Sequence, residues 1–172
     1  VRVVEIAIAE NDAATAEQAI STLNSISAGL RTPAVPYVQA KWAFAQGKHD
    51  DALGLLGSVP KGSEYELQAA YYTGTAHVAK QDLAKATEIF TDLVGRRPKT
   101  NNDRRVVELA QLALGRIYYE REQPSKSIDA YLLVDRGSDL FPPALYEVSW
   151  VYVKSKQYDK ALTALELLGR LD

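Results

Sequence analysis

His49 and His77 are the only side chains in the sequence that titrate near neutrality. General acid–base work through either would require a nucleophile and an orienting acid within hydrogen-bond reach. Both histidines fall where a helical repeat expects a packed or half-packed ring. The acid pairs that could serve them, Asp50 with Asp51 and Asp129 with Asp135, read more simply as solvated helix faces and end charges. With no cysteine in the chain, disulfides, thiolate metal sites and a cysteine nucleophile are excluded. The sequence also contains no Gly-rich phosphate loop, no His-x-x-x-His pair and no Asp/Asn calcium loop. The expectation is a protein that is not an enzyme and that needs no cofactor or metal.

Charge narrows the partner class. Twenty basic and 22 acidic residues among 172 give a net charge of -2, so no global field draws the chain to nucleic acid or anionic lipid. One local exception is the run Arg96, Arg97, Lys99, Arg104 and Arg105. It reads as a solvated loop, with docking of an acidic partner or of membrane phosphates as the functional alternative. Without interleaved aromatics, nucleic acid is not expected there. No stretch is apolar enough to span a membrane, and the opening VRVVEIAIAEND lacks the basic start and long apolar core of a signal peptide. The absence of methionine and the ending LLGRLD suggest a segment of a longer protein.

The elements that position these residues are repeats. The closing stretch WVYVKSKQYDKALTALELL runs from a helix bearing Ser149 and Tyr152, through a turn at 155–157, to a helix bearing Tyr158, Ala161, Leu165 and Leu168. The same order occurs as Gly74, His77, Leu83, Ala86, Phe90 and Leu93, and as Gly115, Tyr118, Pro124, Ser127, Tyr131 and Val134. A looser copy reads Ala40, Ala43, His49, Ala52, Leu56 and Val59. The interior small residues Ala52, Ala86, Ser127 and Ala161 are spaced by 34, 41 and 34. A helix–turn–helix unit recurring every 34 residues resembles the tetratricopeptide repeat (TPR) family over most of the chain. The small residues allow two helices to approach closely, and the large ones fill the space between one pair and the next.

The seven-residue excess falls between Gly95 and Val106. Pro98 can end one repeat there, and Thr100 or Asn102 can cap the next helix. Seven residues are close to two helical turns, so Val106, Ala110, Ala113 and Ile117 stay on one face. The spacing predicts a first helix over 101–122. Pro124 and Pro142 suit first turns of helices, while Pro33 and Pro36 set off the N-terminal part. There Ala16, Ala19, Ile20, Leu23 and Ile26 predict a second helix. For VRVVEIAIA a helix is preferred, with a strand or a disordered end left open by its β-branched content. The expected architecture is all-α: one TPR solenoid over residues 1–172, with about five pairs (ten helices), in repeats near 1–32 (degenerate), 33–62, 64–99, 101–138 and 140–172.

The resemblance implies a right-handed superhelix whose concave groove is lined by first helices. The positions that face the groove in this family are Tyr37, Lys41 and Phe44; Tyr71, Thr75 and Val78; Leu112, Arg116 and Tyr119; and Tyr146, Trp150 and Val153. For Tyr37, Tyr71 and Tyr146, packing between helices competes with exposure; for Tyr119 and Trp150, exposure is expected. Only Lys41 and Arg116 are cationic here, a departure from the Lys and Asn by which carboxylate-clamping TPR domains hold chaperone tails. The resemblance therefore implies another protein or an apolar peptide as partner. An alternative is self-association through apolar end faces, where Leu162, Leu165 and Leu168 would be left open. The stretch ALYEVSWVYVKSKQYDKAL is similar to TPR proteins of the bacterial cell envelope, which favours the periplasm or envelope over the cytoplasm.

Overall fold

The computed structural model describes residues 1–27 and 32–171. Among the described residues it contains ten α-helices and no strand: α1 (Arg2–Ala9), α2 (Ala13–Asn24), α3 (Ala34–Ala45), α4 (His49–Gly57), α5 (Glu66–Ala79), α6 (Leu83–Val94), α7 (Asn101–Glu120), α8 (Pro124–Leu132), α9 (Phe141–Lys154) and α10 (Tyr158–Leu168). The chain divides into two compact units, Val1–Ala86 and Thr87–Asp172.

One local device builds all five helix pairs. Each first helix ends in a left-handed residue, namely Asn11, Gly47, Gln81, Glu122 or Lys156, with φ between 55° and 73°. The following N–H reaches back to a carbonyl of the last helical turn: Asp12 to Ala7 at 2.8 Å, Lys48 to Ala43 and Asp82 to His77 at 2.9 Å, Gln123 to Tyr118 and Gln157 to Tyr152 at 2.8 Å. This is the Schellman closure, which satisfies a terminal carbonyl and reverses the chain in three residues. Gly47 adopts it without steric cost and Asn11 with little, whereas Gln81, Glu122 and Lys156 are residues for which this backbone region is strained. Because one such residue closes every pair, the turns mark the repeat register more cleanly than side-chain type does.

In the first unit, α1 is helical despite its Val and Ile content, because Val4 and Ala7 are buried with Ala16 of α2 and tertiary packing outweighs a small propensity deficit. Asp12 caps α2 by accepting the Thr15 N–H at 3.1 Å. Pro33 is the N-cap of α3, and Pro36 lies inside its first turn, where a missing N–H leaves no bond unmade. The core here joins Tyr37, Ala40, Leu56 and Ala69, with Leu55, Val59, Tyr65 and Tyr72 packed around them.

In the second unit, Thr100 opens α7 with a reciprocal capping box. Its Oγ1 accepts the Asp103 N–H at 3.0 Å, while the Asp103 carboxylate accepts the N–H groups of Thr100 at 3.0 Å and Lys99 at 2.9 Å. The helix runs 20 residues, buries Val106, Ala110 and Ile117 along one face, and ends two residues earlier than the spacing predicts. Its close approach to α8 is made at Gly115: Ser127 Oγ donates to the Gly115 carbonyl at 2.7 Å, and the ring of Tyr131 covers the bare Cα. Pro124 and Pro142 lie in the first turns of α8 and α9. A single core then joins Leu112, Tyr131, Val134, Phe141, Val148 and Val151 with Ala161 and Ala164 of α10.

Candidate functional site

Three exposed aromatic residues of the second unit lie together on α7 and α9, while Tyr158, also exposed, opens α10. Tyr119 of α7 is 37% exposed, and Tyr146 and Trp150 of α9 are 49% and 52% exposed, with Val153 one turn on also exposed. Tyr146 and Trp150 meet edge to face with ring centroids 6.2 Å apart. Beside them is a recess of about 240 Å³ lined by Arg116, Tyr119, Tyr131, Glu147 and Trp150. A second recess of about 160 Å³ lies between Tyr119, Pro124, Val151 and Lys154. The Lys154 ammonium sits 4.7 Å from the centre of the Tyr119 ring and 3.6 Å from Glu122. Leu112, also a groove position by resemblance, is buried in the core.

A charged clamp fixes the floor. Arg116 donates to Glu147 through Nε at 2.8 Å and Nη2 at 2.5 Å, and the Tyr131 hydroxyl donates to the same carboxylate at 2.9 Å. Burial first, and the Glu147 charge second, push the Tyr131 phenol far above its usual range, so it remains a donor throughout the accessible pH range. With three donors on it, Glu147 ties α7, α8 and α9 together. The surface beside it is aromatic and partly polar.

The first unit treats the corresponding positions differently. Tyr37 is buried, with Tyr65 at 4.9 Å and Tyr72 at 5.9 Å between ring centroids. Lys41 pairs with Glu5 at 2.8 Å and lies 5.5 and 5.6 Å from the Tyr37 and Tyr72 ring centres. Phe44 is half-buried against His49 and Tyr72. Tyr71 meets Tyr72 edge-on, Thr75 turns its hydroxyl back to the Tyr71 carbonyl at 2.9 Å, and Val78 is half-buried. Here the candidate residues form a packed cluster, and burial raises the Tyr37 phenol above its normal range. Tyr65, Tyr72, Tyr131 and Glu147 were not among the sequence candidates. For Tyr72 and Glu147 the signal was present in the spacing, since each lies 31 residues after a candidate cation, Lys41 and Arg116.

The basic run is partly neutralised. Arg96 donates to Asp92 through Nε at 3.1 Å and Nη2 at 3.0 Å, and Arg105 donates to both oxygens of Asp139 at 2.5 and 2.6 Å. Arg97, Lys99 and Arg104 are exposed. The recess beside Arg104 and Arg105, about 290 Å³, is also lined by Glu108, Asp135 and Asp139, so its charge is mixed. The histidines are half-buried: His77 Nδ1 lies 3.2 Å from Asp82, and the His49 ring lies tilted against Phe44, 5.1 Å between centroids. Asp50 is paired with Lys80, which holds its carboxyl below the usual range. Among the described residues no cluster of His, Asp and Glu could hold a metal, and no helix is long and apolar enough to cross a membrane.

Solved structures share this architecture. The chain is similar to RapI in its apo form, with a TM-score of 0.77 at 13% identity over 96% of this chain and 66% of that one. It is also similar to MamA, with a TM-score of 0.72 at 17% identity over 98% of this chain and 93% of that one. Both are TPR-like helical-repeat proteins, and at these identities the likeness establishes the fold: all-α, of the TPR type. No family model and no curated protein sequence matches the chain.

Proposed function

We propose that the chain is a non-catalytic protein-interaction scaffold that takes an extended or helical apolar segment of a partner protein on the α7–α9 surface. The observation that carries this reading is the exposure of Tyr119, Tyr146 and Trp150 over a floor made rigid by the Arg116–Glu147–Tyr131 clamp. Large rigid rings bury much apolar area for little lost entropy, and such residues dominate binding energies at interfaces. The packed rings of the first unit and the mixed charge around Arg104 and Arg105 make those surfaces weaker candidates.

The test is selection of peptides from a random library on the folded chain, followed by titration of the selected peptides against variants. Tyr119→Ala and Trp150→Ala should each weaken binding by roughly tenfold or more, about 1.4 kcal/mol, with helicity retained. Arg96→Ala combined with Arg97→Ala should have a smaller effect that disappears at high salt. If the arginine variant abolishes binding while both aromatic variants bind normally, the site is the basic loop.

A further inference from the structure

The one departure from the repeat period builds a recess of its own. α7 runs 20 residues where α5 and α9 run 14, and the excess before Val106 adds turns that carry Asn101, Arg104 and Arg105. These turns stand against the connection between α8 and α9, and the two enclose the recess of about 290 Å³. Arg105 holds both oxygens of Asp139 at 2.5 and 2.6 Å, which makes one wall a neutral pair. Three charged groups are then left to face a ligand: Arg104, Glu108 and Asp135.

Their surroundings differ. Glu108 is 7% exposed and forms the floor, and the Ser138 hydroxyl at 2.7 Å is its only hydrogen-bond donor among the described residues. A carboxylate has room for about four donors, so most of this buried acceptor capacity is unfilled. One turn further along α7, the Gln111 side-chain carbonyl is buried with no donor at all among the described residues. At the mouth, Asp135 is exposed and gives one oxygen to the Gly137 N–H at 2.8 Å. The Arg104 guanidinium is exposed and has no partner among the described residues. It stands four residues before Glu108, or about 6 Å along the helix axis.

We infer that this recess binds a free basic amino acid, L-arginine or L-lysine. One cation and two acids line it, and such a ligand carries the complement, one carboxylate and two cations. Its carboxylate meets Arg104, its α-ammonium meets Asp135 at the mouth, and its side-chain cation reaches Glu108 on the floor. One helical turn between Arg104 and Glu108 suits a carboxylate and a side-chain cation held apart by an aliphatic stem, whereas the adjacent charges of a small neutral amino acid cannot span it. A neutral side chain would also leave Glu108 buried without a counter-charge, and an acidic one would set like charges together. The mixed charge that disfavours an apolar segment here is thus a pattern that a small zwitterion completes. A peptide ending in arginine or lysine offers the same carboxylate and side chain but no α-ammonium, so Asp135 distinguishes the two sources.

Calorimetric titration of L-arginine and of L-lysine into the whole chain tests this. At least one should bind one-to-one with a Kd of about 0.1–1 mM, as suits a small ligand in an open recess. L-Leucine should give no binding, and N-acetyl-L-arginine and agmatine, lacking the α-ammonium and the carboxylate respectively, should each bind about fivefold more weakly. Arg104→Ala and Asp135→Asn, both at exposed positions, should also weaken binding about fivefold, while Glu108→Gln, which removes the buried charge, should abolish it. Circular dichroism equal to wild type confirms that each variant is folded. Absence of binding by both amino acids, equal binding of L-leucine, or unchanged affinity in Arg104→Ala and Asp135→Asn overturns the inference. N-acetyl-L-arginine binding as tightly as L-arginine overturns the free amino acid in favour of a peptide end. None of these residues lines the recesses at Tyr119 and Trp150, so Trp150→Ala should bind the amino acid normally whether or not peptides bind the α7–α9 surface.

Discussion

Substituting Gly115 sets two opposing terms against each other. Replacing a glycine in a helix interior by alanine ordinarily gains about 0.5–1 kcal/mol, because the unfolded chain loses freedom that glycine had and alanine has not. At Gly115 a new Cβ would stand 2.6 Å from both Cε1 and Cζ of Tyr131 and 2.8 Å from Cδ1. The ring cannot swing aside freely, since Tyr131 is 3% exposed and its hydroxyl is bound to Glu147 at 2.9 Å. Overpacking of this kind costs about 1–3 kcal/mol, so Gly115→Ala should be destabilising by about 1 kcal/mol net, and Gly115→Leu by more. In a Tyr131→Leu background the obstacle is gone, and the same alanine should become neutral or stabilising. Gly54, exposed on α4 with nothing within 4 Å of its would-be Cβ, is the internal control, and Gly54→Ala should gain the propensity term alone. Urea unfolding followed by circular dichroism reads all four variants, with about 2–4 °C of melting temperature per kcal/mol as a cross-check. If Gly115→Ala stabilises the chain as much as Gly54→Ala does, the close α7–α8 approach does not constrain the fold.

Three further outcomes follow from local geometry. Thr100→Ala removes one half of the α7 capping box and should cost about 1 kcal/mol, with faster hydrogen exchange confined to the first turn of that helix. Lys156→Gly relieves a left-handed residue at an exposed turn with φ of 58° and should raise stability by about 0.5–1 kcal/mol, seen as a higher urea midpoint. The hydrogen bond from Arg105 holds the Asp139 carboxyl below its usual range, so the contribution of the pair is present above about pH 4 and fades as the pH falls through that region. The stability difference between wild type and Asp139→Asn should accordingly be measurable at pH 7 and vanish in acid, where a persistent difference would place the effect elsewhere.

What the sequence made legible is periodic, and what it concealed depends on a neighbour. The 34-residue spacing and the excess before Val106 located four of the five pairs and the long α7, because small residues at helix crossings and large residues between pairs are one-dimensional signals; the N-terminal pair rested on helical periodicity alone. The last two residues expected in α7 are instead the turn at Arg121 and Glu122, whose left-handed residue carries no glycine signature. Exposure at the groove positions is a harder matter, since the same helical face is open or closed according to what the adjacent first helix presents. Lys41 in α3 meets Tyr72 thirty-one residues on, and the ring covers the cation and Tyr37 together. Arg116 in α7 meets Glu147 at the same separation, and a carboxylate ties the guanidinium down without covering the rings beside it. An aromatic at this position closes one unit's surface into core, whereas an acid leaves the other's rings in water. The residue one turn short of a full repeat after each cation therefore decides whether aromatic side chains at groove positions are packing or are available to a partner.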